Sequence, residues 1–431
     1  MTGDVTEKKP SWRDAFAVYG DRRIVTILLL GFSSGLPLAL TGSTLAVWLT
    51  EAGVSLKTIG LFALVGTPYT FKFVWAPLVD QMRLPGLTGA FGRRRAWMLA
   101  TQAALIGALL ALGATDPALQ TERVALLALL VAFCSASQDI VIDAYRVEIL
   151  DKPQYGAGAA AVQFGYRVAM LVSGAGALLL AQFSGSWAVT YVAMAGLVGV
   201  GMVTVLANPE PNAPPLVLAA TIAGRLRQAV IEPFADMARR SGRFILAVLA
   251  FVLLYKLGDA FAGVMANPFY IMIGFTKAQV ATVSKLFGFG ATILGTFLGG
   301  VVVARYGLWK SLLGCGLLQM LSNLMFAWQA SVGADVYALT LTIAVENLSG
   351  GLGSAAFVAY ISGLCSLRFT GTQYALLSSL AAVGRTLVAS SAGQLAESLG
   401  WVDFFLVSTL VALPGLILLV ALRRRLLPPD P

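Results

Sequence analysis

The sequence has no histidine at all. That absence removes imidazole acid–base chemistry, histidine metal sites and Ser-His triads together. Cysteine is nearly absent too. Cys134, Cys315 and Cys365 are odd in number, scattered and embedded in apolar stretches. They offer neither a disulfide framework nor a metal-ligand spacing, and read as small packing residues. Charge is the third scarcity. Only 12% of the 431 residues are charged, against roughly 25% in a soluble domain. Disorder is excluded, and so is a soluble enzyme with a charged surface.

What fills the chain instead is apolar. Hydrophobic residues make up 58%, and the mean hydropathy is +0.81. A membrane-crossing helix needs about 20 mainly apolar residues, so this content fills about twelve spans. Twelve segments are marked by hydropathy: 24–50, 56–79, 96–114, 123–149, 157–182, 187–207, 244–272, 278–304, 309–330, 336–365, 372–396 and 401–422. The first is too long for the apolar core of a signal peptide and is expected to remain as span one.

The net charge of +9 would suggest a nucleic-acid partner in a soluble protein. Here it follows from topology, and no nucleic-acid partner is expected. With the N-terminus inside, 21 of the 30 Lys and Arg fall on the inner side, while only Lys57, Arg123 and Lys277 fall outside. The positive-inside rule then puts both termini in the cytoplasm. The longest polar segment, 208–243, opens with a proline-rich run, continues as an amphipathic piece and halves the chain. The expected organisation is a cytoplasmic segment 1–23, a six-helix bundle 24–207, a cytoplasmic loop 208–243, a second six-helix bundle 244–422 and a cytoplasmic tail 423–431.

Weak internal symmetry agrees with parallel repeats. Asp80 and Gly92-Arg93-Arg94-Arg95 around the second and third spans correspond to 300–310 around the eighth and ninth, about 224 positions on. Arg167 and Arg385 lie 218 apart, in spans five and eleven.

Charges inside spans are costly, at least ~2.5–3.5 kcal/mol each near mid-membrane. They are kept where they pair or line a wet cavity. Span four holds the densest set, SQDIVIDAYR over 137–146. Asp139 and Asp143 share a helix face, and Arg146 continues the stripe. Two carboxylates so placed repel unless one takes a proton or a cation relieves it. Arg146 is placed to relieve Asp143, and Arg167 to relieve either. This face reads as a cavity wall with Asp139 the first candidate proton carrier and Asp143 another; the alternative is a closed Asp–Arg network joining helices.

In the second half, Lys256 and Asp259 are three apart, forming either a self-neutralising pair or a site. Glu346, a second proton candidate, precedes Asn347 and a glycine run over 350–353 that admits a substrate or another helix. Arg385 is its expected partner. Lys72 is a candidate for an anionic group, and Tyr69 for stacking on sugar. Asp80 facing Arg93, Arg94 and Arg95 reads as a charge latch at the inner mouth, or as ordinary positive-inside charge.

At these residues the chain resembles the major facilitator superfamily. Within it, LGFSSGLPLALT (30–41), FKFVWAPLVD (71–80), GRRRAW (92–97) and ASQDIVIDAY (136–145) look like the AmpG muropeptide permeases. The resemblance implies a bacterial inner-membrane importer driven by the proton gradient, with no other cofactor. It implies anhydro-muropeptides as substrates, returned from the periplasm for cell-wall recycling and in some bacteria signalling β-lactamase induction. Gln138, Asp139, Asp143 and Lys72 fall inside the shared motifs and carry over as substrate or proton candidates. Some members of the family have two extra spans near the middle, which this layout lacks.

The expectation is therefore an all-α membrane protein of twelve helices in two halves, a monomer in the bilayer and not an enzyme. It moves its solute by rocking the halves around a central cavity. Sugar hydroxyls would meet Gln138, Asn347 and aromatics, and anionic groups would meet Lys72, Arg167 or Lys256. The rivals are another solute on the same fold (acetyl-CoA-like, another glycan or a drug), a membrane enzyme, and a non-transporting sensor.

Overall fold

The computed structural model describes residues 17–212, 224, 227, 231–276, 279–389, 392–421 and 423. Among the described residues every regular element is helical. We label the runs α1 to α12 after the spans they occupy. They are α1 (Arg22–Thr41), α2 (a broken series from Leu56–Leu61 to Ala76–Gln81), α3 (Arg93–Gly113), α4 (Thr121–Ile149), α5 (Tyr155–Leu171, continued to Ser184), α6 (Trp187–Ala207), α7 (Ile245–Leu254 and Leu257–Met272), α8 (Gly288–Tyr306), α9 (Leu308–Val332), α10 (Val336–Leu364), α11 (Thr370–Ala389) and α12 (Trp401–Val411 with Leu413–Ala421).

Ten of these runs are long and apolar enough to cross a membrane. The other two are α2 and α11. Pro68 and Pro77 each open a short helix within α2, and 3-10 turns at Phe62–Gly66 and Lys72–Val74 join the pieces. Proline lacks the amide that would continue the ladder, so the run is segmented. α11 carries three Thr, two Ser, Gln373 and Arg385 and is not continuously apolar. α7 also departs from a continuous helix, breaking at Tyr255 and Lys256, the position of its charges.

α1 begins at Asp21, whose carboxylate accepts the Arg23 amide at 2.8 Å. The Arg23 guanidinium bonds the same carboxylate and holds it below the ordinary carboxylate range. The later part of the amphipathic piece of 208–243 forms the helix Glu232–Ser241, while most of 213–230 lies outside the described residues. It docks on the second half, where Arg240 donates to the Leu364 carbonyl at 3.0 Å and to Gln373 at 2.9 Å.

Buried apolar residues divide unevenly between the two ends of the bundle. At the end carrying the basic connections, which we call the basic face, one core runs through both halves. It extends from Ile24, Val79 and Tyr145 to Val303, Leu352 and Leu419. Toward the opposite face there are two separate cores. One holds Leu36, Trp48 and Tyr191, and the other holds Phe261, Phe326 and Phe405. The halves are therefore sealed together at the basic face and packed individually away from it.

Small residues let the helices touch. A Cβ on Gly165 of α5 would collide with the Leu28 carbonyl of α1, and one on Gly351 of α10 with the Thr292 carbonyl of α8. The glycine run after Glu346 thus admits a neighbouring helix. Gly165→Leu should cost at least ~1–3 kcal/mol through overpacking against backbone that has no rotamer to yield. Thermal unfolding of the purified protein checks this; an unchanged midpoint would mean that α1 and α5 do not pack this closely.

Candidate functional site

α4 turns one stripe toward α1 and α2. Ser34 donates to Asp139 at 2.6 Å. Asp143 receives Lys72 at 3.5 Å and Arg146 at 3.4 Å. The second cation at Asp143 is therefore Lys72, not Arg167 as the sequence suggested. The short helices of α2 bring Lys72 inward, and the spacing within α4 alone does not reveal this. Gln138 is fully buried and donates to Ser33 at 3.2 Å. Tyr69 is half-buried and packs beside the first half's separate core.

The two carboxylates of α4 consequently differ. Asp143 lies between two cations, whereas Asp139 has a hydroxyl donor, with Lys72 acting on it only through space.

Arg146 also reaches across to the second half. It is 1% exposed, donates to Ser362 at 3.2 Å and lies over the Tyr374 ring at 5.0 Å. Nearby stands a denser network. Arg94 bonds Asp80 at 2.6 Å and grips Glu148 through Nε at 3.0 Å as well as through Nη2. Arg93 approaches Glu148 at 3.9 Å. Arg95 instead donates to the Val205 carbonyl at 3.0 Å. The remaining Asp80 oxygen accepts the Thr372 amide and hydroxyl, both at 3.0 Å, from α11. Asp80 therefore joins α2, α3 and the second half at a fully covered point.

The second half contributes a polar cavity of about 300 Å³ whose lining includes Arg167, Tyr270, Ser284, Thr292, Glu346 and Asn347. Arg167 comes from α5 of the first half, so the cavity lies between the halves. It makes no ion pair among the described residues. Thr292 donates to the side-chain Oδ1 of Asn347 at 2.7 Å, and the Asn347 side-chain amide donates to Glu346 at 2.7 Å. Lys256 and Asp259 pair at 3.3 Å. The side chain of Arg385, the expected partner of Glu346, lies outside the described residues.

Sequence reading did not anticipate the roles of Thr372, Ser362 and Tyr374, because nothing in a sequence of neutral side chains marks which will meet a charge more than 200 positions away.

A family model described as acetyl-coenzyme A transporter 1 matches residues 23–117. The anhydromuropeptide permease of Escherichia coli (strain K12) is 43% identical over 410 residues, spanning 95% of this chain and 81% of its own. The chain belongs to the anhydromuropeptide permease family. The putative transporter AmpG 4 of Rickettsia felis is 35% identical over 409 residues, covering 95% of this chain and 98% of its own. Among solved structures, the major facilitator superfamily transporter FucP in the outward conformation superposes with a TM-score of 0.65 at 13% identity, covering 93% of this chain and 98% of that one. The fold is that of a major facilitator superfamily transporter, a multi-pass membrane protein.

The four motifs that carry the family resemblance are far apart in the chain but meet in space. Ser33 and Ser34 hold Gln138 and Asp139. Lys72 holds Asp143, and Trp75 donates to Ser137 at 3.0 Å. Arg94 holds Asp80. The permease motifs form one connected polar assembly.

Proposed function

We propose that this chain imports anhydro-muropeptides, the N-acetylglucosamine–1,6-anhydro-N-acetylmuramyl sugars with or without peptide, across the bacterial inner membrane, driven by protons. Its termini are cytoplasmic in this reading, so the sealed basic face looks inward. The half-bundles 24–207 and 244–422 rock against each other, and the form described is closed toward the cytoplasm.

The observation that carries the reading is the unequal treatment of the two α4 carboxylates. Asp143 belongs to a charge network that reaches the second half through Arg146. Asp139, one helical turn away, has no such clamp and is the proton carrier. Glu346, held by an amide on the cavity wall, is the second choice. Arg167 meets an anionic group of the muramyl-peptide, while Asn347 and Tyr270 meet sugar hydroxyls. Alternating access then requires the Asp80–Thr372 and Arg146–Ser362 contacts to part.

Uptake into vesicles tests it. Labelled anhydro-disaccharide should accumulate when the vesicles are energised and stop accumulating with an uncoupler. Accumulation that persists without a proton gradient would end the symport reading. A cysteine placed in 208–243 should resist a membrane-impermeant thiol reagent in whole cells; labelling from outside would reverse the orientation.

A further inference from the structure

A second cavity, of about 450 Å³, lies at the basic face between the halves and away from the permease motifs. Lys152 and Tyr155 of the first half line one side. Gly307, Trp309, Lys310 and Arg423 of the second half line the other. Arg423 stacks over the Trp309 ring at 4.1 Å, and the indole nitrogen is covered with no hydrogen-bond partner among the described residues. α9 starts in this cavity, with Gly307 as its N-cap at φ 76° and ψ 166°, and no side chain caps it. The first amides of a helix point outward with nothing to bond, so this wall favours an anion.

The repeat shows what such a seat holds. α3 begins on Gly92, at φ 86° and ψ 173°, the same backbone cap as Gly307. There the Glu210 carboxylate, arriving just after α6, accepts the Arg94 amide at 2.7 Å and the Arg95 amide at 3.0 Å. In the second half the chain leaving α12 reads Arg423-Arg424-Arg425. Where the first half supplies its own carboxylate, the second supplies cations. The α9 seat is built like the α3 seat, but among the described residues no carboxylate bonds its first amides.

We propose that this cavity binds a phosphate-bearing anion, the headgroup of an anionic phospholipid in the leaflet at the basic face. Its phosphate sits against the α9 amides, the Trp309 indole N–H, Lys310 and Arg423, and its glycerol and upper chains lie along Val303 and Leu308. Lys152 and Tyr155 belong to the first half, so an occupant ties the halves together and favours the form closed at this face.

Thermal unfolding of the purified full chain in detergent tests this, with dioleoylphosphatidylglycerol, dioleoylphosphatidylcholine, glycerol phosphate or inorganic phosphate added separately. Phosphatidylglycerol should raise the midpoint saturably and phosphatidylcholine should not. In the Lys310→Ala/Arg423→Ala variant the apparent affinity should weaken by roughly thirtyfold, the loss expected when two cations leave a charged headgroup. Trp309→Phe, which keeps an aromatic ring and removes the N–H, should weaken it less and guards against misfolding of the double variant. An equal effect of glycerol phosphate or inorganic phosphate, lost in the same variants, would place a soluble phosphate in the seat and overturn the lipid assignment. A phosphatidylglycerol response unchanged in both variants would overturn the site itself.

Discussion

Arg94→Ala is expected to be among the most damaging single substitutions in this protein. The guanidinium is 1% exposed and lies between two carboxylates, Asp80 and Glu148, whose side chains have no exposed surface. Removing it leaves two buried acids with Arg93 alone, at 3.9 Å from one of them. Breaking a buried pair from one side typically costs about 3–5 kcal/mol, because the remaining charge has lost its solvation and its partner. Arg94→Lys should recover only part of the loss, since an ammonium does not reproduce the fork that bonds both acids. Thermal unfolding of the purified variants measures this. Asp80→Ala adds a second readout: it removes the Thr372 contact across the halves along with the Arg94 pair. It should make thiols placed in the central cavity more reactive from the basic face. Wild-type midpoints for Arg94→Ala would show that the network is ordinary surface charge.

Asp139→Asn should abolish accumulation while leaving the protein folded and in the membrane. The amide retains the Ser34 partner and resembles the protonated acid, so packing is preserved and only proton uptake is lost. A gradient of one pH unit, coupled to one proton, supports about tenfold accumulation. In this variant the ratio should fall to unity, with exchange of labelled for unlabelled sugar still running. Asp143→Asn should behave differently. It withdraws the negative charge from Lys72 and Arg146 together, so stability and exchange should both suffer. Accumulation at the wild-type level in Asp139→Asn would pass the proton role to Glu346, tested likewise by Glu346→Gln.

Composition made the membrane body legible because burial in lipid demands long apolar helices, and little else satisfies their backbone. It was less informative where helices break. The turns in α2 depend on Pro68 and Pro77, and they aim Lys72 at Asp143 instead of leaving that task to Arg167 on α5. The helical stripe of Asp139, Asp143 and Arg146 could be read from spacing because i, i+4 and i+7 share a face in any helix. Its partners Ser34, Ser362 and Tyr374 could not, since they depend on how separate helices dock. Glu210 illustrates the same limit. It lies in a proline-rich segment without a pattern of its own, yet it seats the first turn of α3.

The central claim is that protons and anhydro-muropeptide enter together. Purified protein in lightly buffered proteoliposomes, with external pH followed as unlabelled anhydro-disaccharide is added, tests it most directly. The account predicts prompt external alkalinisation with the wild type and none with Asp139→Asn. Entry of labelled sugar without any change in external pH would contradict it.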